Sequence, residues 1–417
     1  MIRPAGPCRP LMLMLILTLL PQLSPVATAQ DTAVSPVTQL LENGQLEAAE
    51  TALRQILATE DSAVARDLLG VALSRQGRHR EAEAEFRRAL ALDPTLLDAR
   101  QHLARTYLLD GREPEAREQL RAAAVLGDLD RDLAMKLGVV EMTEGNAAAA
   151  ASQFRFLVER HGSVQAALYL ARIEASRQGP EAALVTLRQA RELAPNSEEV
   201  LRAHARAALD AGLPVEAIVA LEPLTRMHPD AAEYAYLMGI ARLQVGDSAG
   251  AVEALQQARQ QGPPRPLPLI ALGLALNRQK NYAEARSVIL ESLRLEPDNI
   301  EGLAGLAEAQ AGLLELEAAE TNALRVLARK PDHATANLVL GMVRMQQQRY
   351  PEARDALLRA VEADPGSPKA HYQLSLAYAR LQQPEASRKH LELYQQALQA
   401  FEKQLEELGP AGSSSGG

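Results

Sequence analysis

Histidine is the side chain best suited to moving protons near neutral pH, and this chain has eight: His79, His102, His161, His204, His228, His333, His371 and His390. They lie in different stretches, and no two share metal-ligand spacing on one predicted helix. His204 falls on an apolar helix face and reads as a core residue. Cys8 is the only thiol. The spacings that build a nucleophile elbow, a zinc protease or a phosphate loop (G-x-S-x-G, H-E-x-x-H, Walker A, or G-x-G-x-x-G after a strand) do not occur. The carboxylates are numerous but read as helix-surface charge and as i, i+4 partners. No catalytic residue, metal ligand, cofactor or small-molecule substrate is therefore expected.

What, then, do the elements that carry these residues look like? Hydrophobic residues make up 47% of the chain but aromatics only 3%, with no Trp, so Ala and Leu carry the apolar content. Both are strong helix formers, and the β-branched and aromatic residues that strands favour are sparse. The chain is expected to be all-α. A net charge of −9 disfavours nucleic acid as the main partner, because that grip needs a basic footprint. The N-terminus has the layout of a secretory signal: Arg3 and Arg9, an apolar stretch from Leu11 to Leu20, and a small-x-small site at Ala27-Thr28-Ala29. Residues 1–29 are expected to be removed, exposing Gln30; retention as an uncleaved anchor is the alternative. A cleaved chain would carry no Cys and no stable membrane span. Its expected location is the periplasm or the exterior of the cell.

A fixed period organises the rest. Pro195, Pro229, Pro263, Pro297, Pro331 and Pro365 are spaced 34 residues apart. Pro94 belongs to the same series with one residue deleted. With that proline as position 32 of each unit, position 8 is always small, as in Gly70, Ala104, Gly239, Gly273 and Gly341. Position 20 is Ala in most units and position 24 is bulky, as in Phe86, Phe154, Leu255, Ile289 and Leu357. Position 7 is a large apolar residue such as Leu69, Leu272 or Leu340. Two antiparallel helices about 8–10 Å apart need this arrangement: small residues let the backbones close, and large ones fill the space beside them. Glycines at 77, 111, 145 and 246 mark the hairpin turns.

The segments Leu69-Gly70 … Gly77-Arg78 … Glu81-Ala82 … Phe86 … Leu92-Asp93-Pro94 resemble the tetratricopeptide repeat. So do Leu272-Gly273 … Tyr282-Ala283-Glu284-Ala285 … Pro297 and Leu340-Gly341 … Tyr350-Pro351-Glu352-Ala353 … Pro365. The sequence is similar to the exported bacterial type of this family. The resemblance implies a right-handed superhelical solenoid of about ten to eleven helix-turn-helix repeats. Residues 30–62 are expected to form a linker and an imperfect capping repeat with a short first helix, and 63–400 the array. The end of a capping helix and a disordered Gly/Ser tail are expected over 401–417. Some units depart from the pattern: 131–163 has Gly162 for the proline, and 300–333 has Leu314 for the turn glycine and Ala323 for the bulky residue. Pro263, Pro264, Pro266 and Pro268 crowd one junction, which reads as a stiff turn with a shortened following helix or as a hinge between sub-arrays.

In this family the concave surface binds extended or helical segments of partner proteins, through positions near 2, 5, 9 and 12 of the first helices. Carried onto this chain, those positions give a basic stripe of Arg105, Arg172, Arg202 and Arg206. The stripe either serves acidic partner segments or is paired locally with Asp98 and Glu199. An apolar wall follows: Tyr236, Ile240, Ile270, Leu274, Leu338, Met342 and Tyr372. It either faces a partner or packs against neighbouring helices. The Lys and Asn, four apart, with which one branch of the family holds C-terminal carboxylates are missing at positions 5 and 9. Proteins or peptides are the expected partners, and a non-catalytic scaffold for a cell-envelope assembly or secretion system the expected role. The alternative is an accessory subunit that recruits substrate to a separate envelope enzyme.

Overall fold

The computed structural model describes residues 29–407, in which all regular structure is helical. Residues 1–28 of the expected signal segment 1–29, and the Gly/Ser tail from residue 408, lie outside the described residues. The chain divides into two compact units, the first ending at Val140 and the second starting at Glu141.

The first unit holds hairpins α1 (Ala29–Glu42) with α2 (Leu46–Thr59), α3 (Ala63–Arg75) with α4 (His79–Leu92), and α5 (Leu97–Leu109) with α6 (Glu113–Leu126). It ends within α7 (Arg131–Thr143). In the second unit α8 (Ala147–His161) precedes α9 (Val164–Gln178) with α10 (Pro180–Leu193), α11 (Glu198–Asp210) with α12 (Pro214–Met227), and α13 (Ala232–Gln244) with α14 (Ser248–Gln261). There follow α15 (Pro266–Arg278) with α16 (Tyr282–Leu295), α17 (Ile300–Gly312) with α18 (Leu316–Arg329), and α19 (Ala334–Gln346) with α20 (Tyr350–Ala363). The last hairpin is α21 (Pro368–Arg380) with α22 (Pro384–Glu407). Within each unit a first helix packs on its own second helix and on the second helix before it, the stacking rule of a helical-repeat solenoid.

The repeating rows meet as their sizes require. A side chain added at Gly70 would put Cβ 2.5 Å from Phe86 Cε1, and one at Gly341 would lie 2.5 Å from Leu357 Cγ. Gly239 faces Leu255 and Gly273 faces Ile289 in the same way. Position 8 is therefore the socket for position 24 across each of these hairpins. The position-20 alanines, among them Ala116, Ala217, Ala285 and Ala353, are fully buried.

Each turn reverses the chain through one residue in the left-handed region. Gly77 does so at φ 79° and Gly212 at φ 68°. The bonds from Gly77 N to Ser74 O (3.0 Å) and from Arg78 N to Leu73 O (2.9 Å) complete a Schellman cap. Toward the C-terminus the same place is taken by Lys280, Leu314, Gln348 and Gln382, with φ between 57° and 63°. A side chain there costs roughly 1 kcal/mol or more. Leu314 is 70% exposed, so it gains little from burial in return. Leu314→Gly should raise stability by about 0.5–1 kcal/mol once the greater chain entropy of Gly is set against the relieved strain. Urea unfolding checks this, and a lowered midpoint would contradict it.

Two helices differ from expectation. α1 is not short: it spans 14 residues and continues through Pro36, which removes one backbone donor without ending the helix. α15 is not shortened either. It has 13 residues, like α13, because Pro266 opens its first turn, where no intrahelical donor is needed.

Candidate functional site

Six inter-repeat turns share one bond, from the amide of position 34 to the carbonyl of position 31: Leu96 to Asp93, Ser197 to Ala194, Ala231 to His228, Asn299 to Glu296, His333 to Lys330 and Ser367 to Asp364. The equivalent bond from Arg265 to Gly262 is not made. Proline is tolerated at the second place of such a turn but not at the third, because it pushes the preceding residue out of the helical region. Here Pro263 and Pro264 occupy both places. Gly262 has ψ 165°, whereas Glu296 and Asp364, which also precede a proline at the equivalent place, have ψ 84° and 85°.

The opened turn borders a cleft of about 670 Å³. One wall is the start of α13, with Glu233, Tyr236 and Leu237. The other is the segment from Gly262 through the first turn of α15, including Leu267. Arg206 from α11, Arg259 from α14 and Glu296 after α16 complete the rim. Leu267 is 61% exposed. Tyr236 is half-buried, and burial raises the pKa of its phenol. Arg206 pairs with Glu233, and Arg259 donates to Glu291 at 2.7 Å. Arg265 is exposed and forms no ion pair or side-chain hydrogen bond among the described residues. The lining holds Arg, Glu and Tyr but no His, Ser, Thr, Cys or Lys. Such a surface is equipped to recognise a ligand by charge and apolar contact.

The structure thus brings Arg206 and Tyr236 together and distributes the other expected groove residues elsewhere. Arg105 donates to Asp130 (3.0 Å) and Asp132 (3.0 Å), so its partners are the acids at the junction with the next repeat, not Asp98. Arg206 likewise reaches Glu233 of the next repeat, not Glu199. Arg172 lies 5.6 Å from the Tyr169 ring centroid and donates to Met142 Sδ at 3.0 Å. Arg202 is half-buried.

Ile270 and Leu338 are not groove surface, being only 4% and 8% exposed. The reason is close packing of successive first helices. Gly302 and Gly305 on α17 lack side chains where α15 approaches, and Cβ atoms there would sit 3.5 Å from Ile270 Cδ1 and 2.9 Å from Leu274 Cδ2. Leu338 belongs to the cluster around Leu357, Leu374 and Met342. Ile240 is half-buried and packs against the core of α13–α16. Tyr372 stays 41% exposed but lies 5.3 Å from the Tyr394 ring on α22.

Two polar groupings had no sequence signal. His204 Nε2 lies 2.6 Å from Glu216, which also accepts two bonds from Arg188 (2.8 and 2.7 Å). His371 and His390, on different helices, bring their Nδ1 atoms to 3.1 Å. Among the described residues no three His, Cys, Asp or Glu are grouped to hold a metal ion. No helix there is long and apolar enough to cross a membrane.

Family models described as tetratricopeptide repeat match residues 37–96, 135–198, 202–266, 236–300 and 304–368, and a second model of that description matches 73–136. No curated protein matches the sequence. Solved structures similar to the chain include yeast Tom70, at 14% identity over 90% of this chain and 95% of that one, with a TM-score of 0.40. The APC/C hetero-tetramer Cut9–Hcn1 is 14% identical over 91% of this chain and 96% of that one, with a TM-score of 0.36. MamA is 19% identical over 40% of this chain and 97% of its own length, with a TM-score of 0.31.

Proposed function

The chain belongs to the tetratricopeptide repeat family, and from that premise we propose that it is a non-catalytic interaction scaffold whose partner proteins dock at the cleft between α13 and the Pro263–Pro268 segment. The observation that carries this reading is the opened turn. It leaves an apolar, charge-rimmed recess where the neighbouring junctions are closed by a hydrogen bond. The repeat family supports protein binding, since tetratricopeptide arrays typically serve as interaction scaffolds.

The compartment in this reading is the bacterial envelope, where the chain serves an assembly or secretion system. Arg3, Arg9, the apolar Leu11–Leu20 stretch and the Ala27-Thr28-Ala29 site support it. N-terminal sequencing of the protein recovered from the periplasmic or extracellular fraction should read from Gln30. Recovery of a chain starting at Met1 in the cytoplasm would remove the envelope role.

The docking reading is tested by placing a photo-crosslinking amino acid at Leu267 and irradiating living cells. Mass spectrometry should return adducts to one or a few proteins. Absence of protein adducts at that position would overturn the cleft as the docking site. Adducts to a single enzyme would favour the accessory-subunit role, and adducts to structural envelope components the assembly role.

A further inference from the structure

We propose that the cleft takes an extended, acidic segment of a partner protein, with a carboxylate on Arg265 and a large apolar side chain against Leu267 and Tyr236. This rests on the docking reading above and specifies the chemistry of the occupant.

Three features select that occupant. The first is charge. Of the rim's ionised groups, Arg206 holds Glu233, Arg259 holds Glu291 and Glu296 accepts from Asn299, which leaves the guanidinium of Arg265 with no carboxylate among the described residues. An exposed arginine beside an apolar recess is the place for an incoming carboxylate, which it can hold by two parallel bonds. The second is apolar surface. Leu267 is 61% exposed at the first turn of α15, and Tyr236 presents a half-buried ring on the opposite wall. One large side chain between them would remove both from water.

The third is the backbone. Pro263 and Pro264 have no N–H, and the carbonyls of Gly262, Pro263 and Pro264 accept no hydrogen bond among the described residues. Pro268 removes a donor that could have reached back toward Pro264. The segment therefore offers acceptors and few donors. A helical partner has its own N–H groups committed within the helix, whereas an extended one has them to give. The chain's own leader does not fit, because residues 1–28 carry Arg3 and Arg9 and no acid.

The probes are fluorescein-labelled octapeptides of one sequence, each with a central Leu flanked by two Glu, two Gln or two Lys. They are titrated into the full chain and followed by anisotropy. The Glu peptide should bind tightest and weaken as salt rises. Arg265→Glu should weaken it by about tenfold or more, the loss of a charge-assisted contact, and should improve the Lys peptide. N-methylating the backbone amides of the Glu peptide should also weaken it.

Pro264→Asn provides a second variant, since Asn196 occupies the equivalent place in a closed turn. It should restore the turn bond and reduce Glu-peptide binding while leaving thermal stability intact. Equal binding of the three peptides, or indifference to Arg265→Glu, would overturn the proposal. Failure of every peptide while Leu267 still crosslinks to partners would overturn the acidic-segment chemistry and leave the docking site standing. A concentration-dependent dimer in sedimentation that Arg265→Glu abolishes would replace the partner with a second copy of this chain.

Discussion

Replacing Leu272 with Ala should cost about 2–5 kcal/mol, the range for truncating a fully buried leucine. Leu272 is 0% exposed and sits in a cluster with Leu243, Leu255, Leu276 and Val288. Removing its branched end leaves a cavity between α15 and α16 that two helices braced on both sides cannot close. Its neighbour tests the opposite limit. Gly273→Ala adds one methyl where Ile289 Cγ1 and Cδ1 already stand, so it should cost about 1–3 kcal/mol by overpacking. Combining Gly273→Ala with Ile289→Ala should cost less than the sum of the two, because the second change vacates the contested space. Repeat proteins open locally, so amide exchange should quicken first in α15 and α16. Leu267→Ala, on the exposed side of the same helix, should change stability by under about 0.5 kcal/mol. If Leu272→Ala were as mild as that control, position 7 would not be the core position of this repeat.

Replacing Glu216 with Ala should cost about 1–3 kcal/mol at neutral pH, because it leaves the buried N–H of His204 without an acceptor, while half-exposed Arg188 can turn to water. The carboxylate takes two bonds from Arg188 and one contact from His204, which is 1% exposed. A carboxylate accepts only, so Nε2 of His204 carries the proton and Nδ1 holds a bare lone pair. That Nδ1 is buried with no partner. The Arg188 bonds, working against partial burial and helped by His204, hold the Glu216 carboxyl down to about 2. Burial depresses the His204 imidazole, partly opposed by Glu216.

The two shifts act in the same direction. Glu216 contributes stability that is fully present above its unfolded value of 4.5 and is lost as pH falls toward about 2. His204 is neutral in the fold and charges more readily when unfolded, so its share drains away as pH falls below 6.5. Urea unfolding measured against pH should therefore show stability declining from about pH 6.5 downward. Glu216→Ala should flatten the lower part of that decline, which is worth about 2 kcal/mol after allowing for partial exposure. His204→Leu places at position 7 the residue found there in Leu170 and Leu272. It removes the orphan nitrogen and should raise stability by about 1–2 kcal/mol at neutral pH. A destabilised His204→Leu beside an unaffected Glu216→Ala would show that the pair does not couple α11 to α12.

Histidine at an apolar position was visible in the sequence, but its partner was not. Glu216 is twelve residues away on the other helix of the hairpin, among many surface carboxylates with the same local spacing. The partners of Arg105 and Arg206 escaped for a related reason. Both bonds cross from position 9 of one repeat to acids at the start of the next, and a search along one helix face finds Asp98 and Glu199 instead. At Ile270 and Leu338, residue type could not separate groove from core. An apolar side chain on a first helix is exposed or buried according to how closely the following first helix approaches, and Gly302 and Gly305 set that distance from another repeat.

The hairpins themselves were legible because the contacts that make them are short-range and repeated. A small residue at position 8 meets a large one 16 residues later, in Gly70 with Phe86 as in Gly341 with Leu357. By itself the sequence determined the all-α class, the 34-residue brick and the rows that close it, since local spacing and side-chain volume suffice for those. Only the tertiary structure decided which inner positions stay open, which arginine of the cleft rim holds no carboxylate, and where a recess forms. Those outcomes depend on the distance between neighbouring bricks and on one turn that two adjacent prolines hold open.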